Sequence, residues 1–311
     1  MYFDYYFIFN VTILLGYAMK ILIAIGGREF SKPTLDLGMK IANSFKSSTT
    51  IAYVGKKISQ FSEKDVSVVH QNLDDRELYR PGIRTLEWAY DFLISKKYIE
   101  EKDSNKFDDY LLVDEENSRM KVLLKGEQSD KIDLIMRTGE IIEQLKDEVD
   151  TNKHDITIIG GGGNKGIHQK LVQFIDSSVF VVKNYSVNRK YKILLPINES
   201  EGSNMAIETA INFAKSYKLN VEIVSVPEGK KSIKEVEKIL HNTKDKFSKN
   251  KIKATTRVID GSVVNSIVSH AKDDSIVILG VSPKNPIMKY FFGSKPISIA
   301  QKCNCPVLIT K

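Results

Sequence analysis

The sequence predicts an α/β protein made of two doubly wound, parallel, five-stranded sheets in tandem. Short apolar runs alternate with amphipathic segments, the pattern of strands joined by crossover helices. The series of alternations starts twice, once at Met19 and again at residue 190. A chain of 311 residues also exceeds the common single-domain size, which suits two cores.

In the first series, KILIAI reads as a fully buried strand, and SKPTLDLGMKIANSF follows with helical periodicity and Ser31 as its N-cap. TTIAYV is a second strand. After a polar stretch, PGIRTLEWAYDFLISKKYIEE is a long amphipathic helix. DLIMRTGEIIEQLKDEV gives strand, turn and helix, and DITIIGGGG a strand ending in glycines. Between the long helix and that third strand lies an insertion near 105–130, whose alternating apolar residues on either side of ENS predict a β-hairpin.

The second series repeats the unit with fewer additions. KYKILLPI, NVEIVSV, KATTRVI, SIVILG and PVLIT are strands; SNMAIETAINFAKSY, KSIKEVEKILHNTKDKF, GSVVNSIVSHA and PISIAQKC are helices. The stretch VKNYSVNRK, residues 182–190, marks the boundary, giving domains at 19–184 and 190–311. Residues 1–18 form an apolar, aromatic extension that lacks the basic start of a signal peptide and is short for a spanning helix; a membrane anchor is the minor alternative to a loosely attached tail.

Charge and cysteines narrow the function. The net charge is +7, but the lysines of KDEVDTNK and KKSIKEVEK are mixed with acids and lack interleaved aromatics, the pattern of a solvated surface and not of a nucleic-acid footprint. Cys303 and Cys305 form a CxC with no second pair and no nearby histidine, which argues against zinc and suits a reducing cytoplasm.

The loop GVSPKNPIMKYFFGS joins the fourth strand of the second series to its last helix. In open parallel sheets, ligands bind beyond the carboxyl ends of the strands where the strand order reverses. Gly280 there permits close backbone approach, and Gly293-Ser294 opens a helix whose free N–H groups suit a phosphate, with Lys295 adding positive charge.

These residues carry a resemblance to the universal stress protein family. Gly280, Pro283 and Gly293-Ser294 fall at the spacings of that family's G-x2-G-x9-G-[ST] loop, Cys305-Pro306-Val307 matches its final strand, and Pro196-Ile197-Asn198-Glu199-Ser200 matches its opening P-[IVT]-D-x-S. The resemblance is nearly complete over 190–311 and weaker over 19–184. It implies two UspA-like domains of the Rossmann-like, adenine-nucleotide alpha-hydrolase-like fold, in a cytoplasmic, stress-related regulatory protein that binds ATP or a related adenine nucleotide.

Carried over by position, the resemblance places Pro196, Ile197 and Asn198 at the nucleotide's sugar, Val226 at the adenine, and Gly280, Gly293, Ser294 and Lys295 around the phosphates, with Mg²⁺ as a possible companion. Asn198 stands where the family has Asp, and Pro283 where it has a second glycine. Pro283 removes one backbone donor, which Lys284 and Lys289 could offset. Family members dimerise through their last strands, so the resemblance implies a homodimer or an intramolecular pseudo-dimer.

The first series is the poorer candidate. Its opening strand ends Ala24-Ile25-Gly26 without an acid or amide. Gly160 to Gly163, then Lys165 and Gly166, could cradle an anion, although a tight strand-to-helix connection is the simpler reading. His168 is the one histidine near a possible site; His154 and His241 read as loop or surface residues. Asp260 and Glu140 read as helix-dipole partners. No hydrolase, metalloprotease or P-loop motif occurs, so enzymatic activity would be at most slow ATP hydrolysis or autophosphorylation dependent on Ser294. The alternative function is a nucleotide-independent interaction protein of the same fold, using its insertion to meet an unknown partner.

Overall fold

The structure, a computed structural model, describes residues 19–55, 75–99, 110–115, 119–124, 131–162, 165–227, 232–281 and 295–311. Strands β1 (Lys20–Ile25), β2 (Ser48–Gly55), β5 (Ile132–Thr138), β6 (Ile156–Gly160) and β7 (Ser178–Val182) form the first half of the sheet. Strands β8 (Lys192–Pro196), β9 (Val221–Ser225), β10 (Ala254–Val258), β11 (Ser275–Gly280) and β12 (Val307–Thr310) form the second. The crossovers are α1 (Arg28–Phe45), α2 (Asp75–Ser95), α3 (Ile141–Asn152) and α4 (Lys165–Phe174) in the first half. In the second they are α5 (Glu201–Tyr217), α6 (Ile233–Lys249), α7 (Val263–His270) and α8 (Lys295–Lys302).

The fold is the mixed α/β class the sequence predicts. Its strands are near-continuous apolar runs because both faces are covered: Ile21, Leu22 and Ile23 on β1 and Ile193, Leu194 and Leu195 on β8 are all fully buried. Each half runs in the doubly wound order third-second-first-fourth-fifth. The two units are joined edge to edge in one sheet, β10-β9-β8-β11-β12-β7-β6-β1-β2-β5, with two further strands, β4 (Arg119–Leu124) and β3 (Tyr110–Glu115), beyond β5. The junction is the antiparallel pairing of the two last strands, with Leu308 opposite Phe180.

Strands β3 (Tyr110–Glu115) and β4 (Arg119–Leu124) form an antiparallel hairpin that extends the first half beyond β5. A buried ion network fastens it. Glu148 on α3 is wholly buried and accepts from Arg137 of β5 at 2.6 Å and from Arg119 of β4 at 3.1 Å. Asn152 donates to its other oxygen at 2.9 Å, and Arg137 also bonds to Gln144 and Asp147.

Local expectations differ at three places. Ser31 is not an N-cap: α1 starts at Arg28 with Gly27 as cap, and the Ser31 hydroxyl accepts from the N–H groups of Gly26 and Gly27 at 3.1 and 3.2 Å. Helix α2 starts before its proline, at Asp75, with Pro81 inside and an end at Ser95. His154 is no surface residue but is 5 % exposed, 3.1 Å from Thr50 Oγ1.

Candidate functional site

The strand order reverses between β8 and β11, so the carboxyl ends of β9, β8 and β11 lie side by side. That placement brings Pro196, Ile197 and Asn198 together with Val226 and Gly280. Ile197 is a core residue, 5 % exposed, its N–H bonded to Val224 O and its carbonyl accepting from Ser225 Oγ at 3.0 Å. Pro196, Asn198 and Val226 keep accessible surface.

Asn198 is tied to the start of α5. Its backbone N–H donates to Ser203 Oγ at 3.0 Å, and its Oδ1 accepts from that hydroxyl at 2.8 Å and from Ser200 N at 3.0 Å. Ser200 is the N-cap, its hydroxyl accepting from Ser203 N. An amide serves this local role as well as a carboxylate, because only the oxygen is used. Its NH2 group makes no hydrogen bond to another described residue.

Gly280 has a packing reason to be glycine. A Cβ there would sit 1.7 Å from the carbonyl oxygen of Gly202 in the first turn of α5, and a Cβ on Gly202 would meet the Val281 backbone at 2.7–2.8 Å. The two glycines let the helix start touch the strand end, which holds Asn198 over the switch point. Gly202 and Ser203 were not singled out from sequence, although a glycine in the first turn after the Ser200 cap was visible there.

Lys295 begins α8 and lines an open cavity of about 500 Å³ beside these strand ends. The opposite wall is Pro227, which follows Val226, and the start of α7, with Ser262, Val263 and Asn265; Ser298 and Lys302 continue the α8 side. Gly261 turns the chain into α7 with φ +106, a conformation that favours glycine. Ser262 is the α7 N-cap and makes no side-chain capping bond. Sequence reading missed this wall, though Asp260-Gly261-Ser262 between a strand and a helix is a turn signal. Gly293, Ser294 and Pro283, with Lys284 and Lys289, lie outside the described residues.

The first half offers a different surface. The N–H groups of Gly26 and Gly27 both turn to Ser31, matching the bond between Asn198 and Ser203. The space a Cβ would take on Gly160 borders Thr34 Oγ1 at 3.0 Å, and on Gly161 it is filled by the Lys183 side chain. Gly163 and the side chains of Lys165 and His168 lie outside the described residues. Among the described residues no group of three or more His, Cys, Asp or Glu side chains could hold a metal ion. No described helix is long and apolar enough to cross a membrane.

Comparison with known proteins identifies the second half of the chain. Residues 191–311 match the Universal stress protein family. The chain is 25 % identical over 147 residues to the universal stress protein YxiE of Bacillus subtilis, covering 39 % of this chain and 98 % of that one. Across nearly its whole length it is similar in fold to a universal stress protein of Archaeoglobus fulgidus, with TM-score 0.59, 12 % identity and coverage of 94 % and 96 %. A functionally unknown protein of Pseudomonas aeruginosa is similar too, with TM-score 0.57, 10 % identity and coverage of 96 % and 94 %. Residues 191–311 thus carry a universal stress protein domain, and the chain as a whole is similar in fold to solved universal stress proteins.

Proposed function

We propose that the second half binds an adenine nucleotide, ATP or a close relative, as a regulatory ligand at the carboxyl ends of β8, β9 and β11. The observation that carries this reading is the cavity of about 500 Å³ between the end of β9 and the starts of α7 and α8. Its volume is that of small-ligand sites, and its lining combines apolar Pro227, Val263 and Val264 with the cations Lys295 and Lys302 and the polar Ser262, Asn265 and Ser298. An apolar wall suits a base, and two ammonium groups beside a helix start suit phosphates. Asn198, Pro196 and Val226 would meet the sugar and base, and Gly280, Gly293, Ser294 and Lys295 the phosphates.

Titration calorimetry of the full chain with ATP, with and without Mg²⁺, tests the reading beside Lys295→Glu and Gly293→Asp. We expect saturable binding by the parent and at least tenfold weaker binding by each variant, about 1.4 kcal/mol or more. Absence of binding at millimolar ATP by the folded parent would refute it. A second reading, an interaction protein without nucleotide, is favoured by Gly280: packing against Gly202 accounts for that glycine without a ligand.

A further inference from the structure

The sheet ends on two strands that are paired on one side only. β3 bonds to β4 and β10 to β9, and no described residue pairs with the outer side of either. Unpaired rows of N–H and C=O groups are templates for another strand, and proteins guard them, commonly with charge. Here the two guards have opposite sign. From Asp108 to Glu116, the segment containing β3, the sequence has five acids and no base. From Lys249 to Arg257, the segment containing β10, it has four bases and no acid. Charge therefore opposes pairing of β3 with β3 and of β10 with β10, and favours β3 with β10.

Strand direction agrees with charge. β3 lies two antiparallel steps from β5 and so runs with the first-half strands, whereas the β7–β12 junction reverses the second half. A second molecule carried along the sheet without being turned over presents its β10 antiparallel to β3. The faces agree as well. Leu112 on one edge and Ile252 and Ala254 on the other pack into the same core. The opposite face carries Leu111, Val113 and Glu115 on β3, and Lys253, Thr255 and Arg257 by β10, all exposed.

Setting Glu115 opposite Lys253 places Val113 opposite Thr255 and Leu111 opposite Arg257. That register covers Leu111 and Val113, which are otherwise 40 % and 38 % exposed. The charged groups stay at the surface although each has a partner within the molecule: Arg257 is 63 % exposed with Glu222 at 3.5 Å, and Glu115, which pairs with Arg119, is 37 % exposed. The hairpin that presents β3 is fixed by the Glu148 network and by Lys121–Asp133 at 2.6 Å.

We propose that this protein assembles with further copies of itself by adding the β10 edge of one molecule, antiparallel, to the β3 edge of the next. The contact is heterologous, so every added molecule offers the same free edges again. Sheet twist of about 20–25° per strand turns each copy relative to the last, and growth is open-ended and helical.

Sedimentation velocity of the full chain across protein concentration tests this, at low salt and at high salt where charges are screened. The parent should form a concentration-dependent ladder that shifts toward monomer as salt rises. Glu115→Lys and Lys253→Glu should each weaken assembly at least tenfold, and mixing the two variants should restore it, because each keeps the edge the other has lost. Val113→Lys guards the same edge without touching the Glu115–Arg119 pair, and should act like Glu115→Lys if that change disturbs the hairpin. A monomeric parent at every concentration, a closed dimer, or variants that assemble like the parent would each overturn the proposal.

Discussion

His154 has its ring buried at the amino end of β6, and burial pushes its pKa down to about 4. The unfolded chain takes up this proton near pH 6.5, and the folded protein refuses it until about pH 4. The unfolded state thus binds more protons between those values, so this contribution is whole above pH 6.5, is lost as pH falls, and levels off below about 4. The loss approaches about 3 kcal/mol at 1.36 kcal/mol per unit. Urea unfolding at pH 7.5 and pH 5 should show it, and His154→Gln should flatten the difference; an equally steep slope in the variant would place the titration elsewhere. Gly280→Ala should cost about 3 kcal/mol or more, because the new methyl would overlap the Gly202 carbonyl. A small change in Tm for that variant would mean α5 can retreat from β11. If the second half binds nucleotide as proposed, Pro283→Gly would give the loop back one N–H, worth about 1.5–3 kcal/mol where it meets a phosphate. ATP binding should tighten roughly tenfold or more by calorimetry, with little change in Tm.

At the scale of elements, the hairpin and α3 depend on one carboxylate. Glu148→Leu leaves Arg137, which is 1 % exposed, without its buried partner and Arg119 without its anchor on α3. Breaking such a pair from one side costs about 3–5 kcal/mol. A urea midpoint unchanged by the substitution would show that Asp147 and Gln144 suffice for Arg137. None of this was legible in the sequence: Arg137 sits inside DLIMRT, read as a buried strand, and its partners lie on α3 and on an inserted strand. The strands were legible because two covered faces demand apolar runs, as in KILIAI and SIVILG. Helix ends were less so. Gly26 and Gly27 take Ser31 as an acceptor from outside the helix, so a residue read as a cap lies in the first turn. In the candidate site, Asn198 and Gly280 could be placed by position, whereas the α7 wall with Gly261 and Asn265 required knowing that α7 and α8 face each other across a cavity.

At the scale of the molecule, the two copies are legible as separate units, yet the structure ties them into one sheet. β7 and β12 are buried apolar strands like the others, and their composition alone does not pair them; the expectation that they meet, as an intramolecular pseudo-dimer, comes only from the family resemblance. Their joining gives the halves a common core. Phe213 of α5 packs between Phe45 of α1 at 5.5 Å and Phe180 of β7 at 6.2 Å. Lys183, from the end of the first half, donates to the carbonyls of Ala300 and Gln301 at the end of α8, and Gln301 bonds to Gln169 of α4. Unfolding one half would expose the inner face of the other, so the halves should unfold together. Calorimetry should give a single transition whose van't Hoff and calorimetric enthalpies agree. Phe213→Ala, which removes the ring shared by both halves, should lower stability by about 3–5 kcal/mol while keeping one transition. Two resolved transitions in the parent would mean that the β7–β12 junction and these aromatic contacts are weaker than either half's own packing.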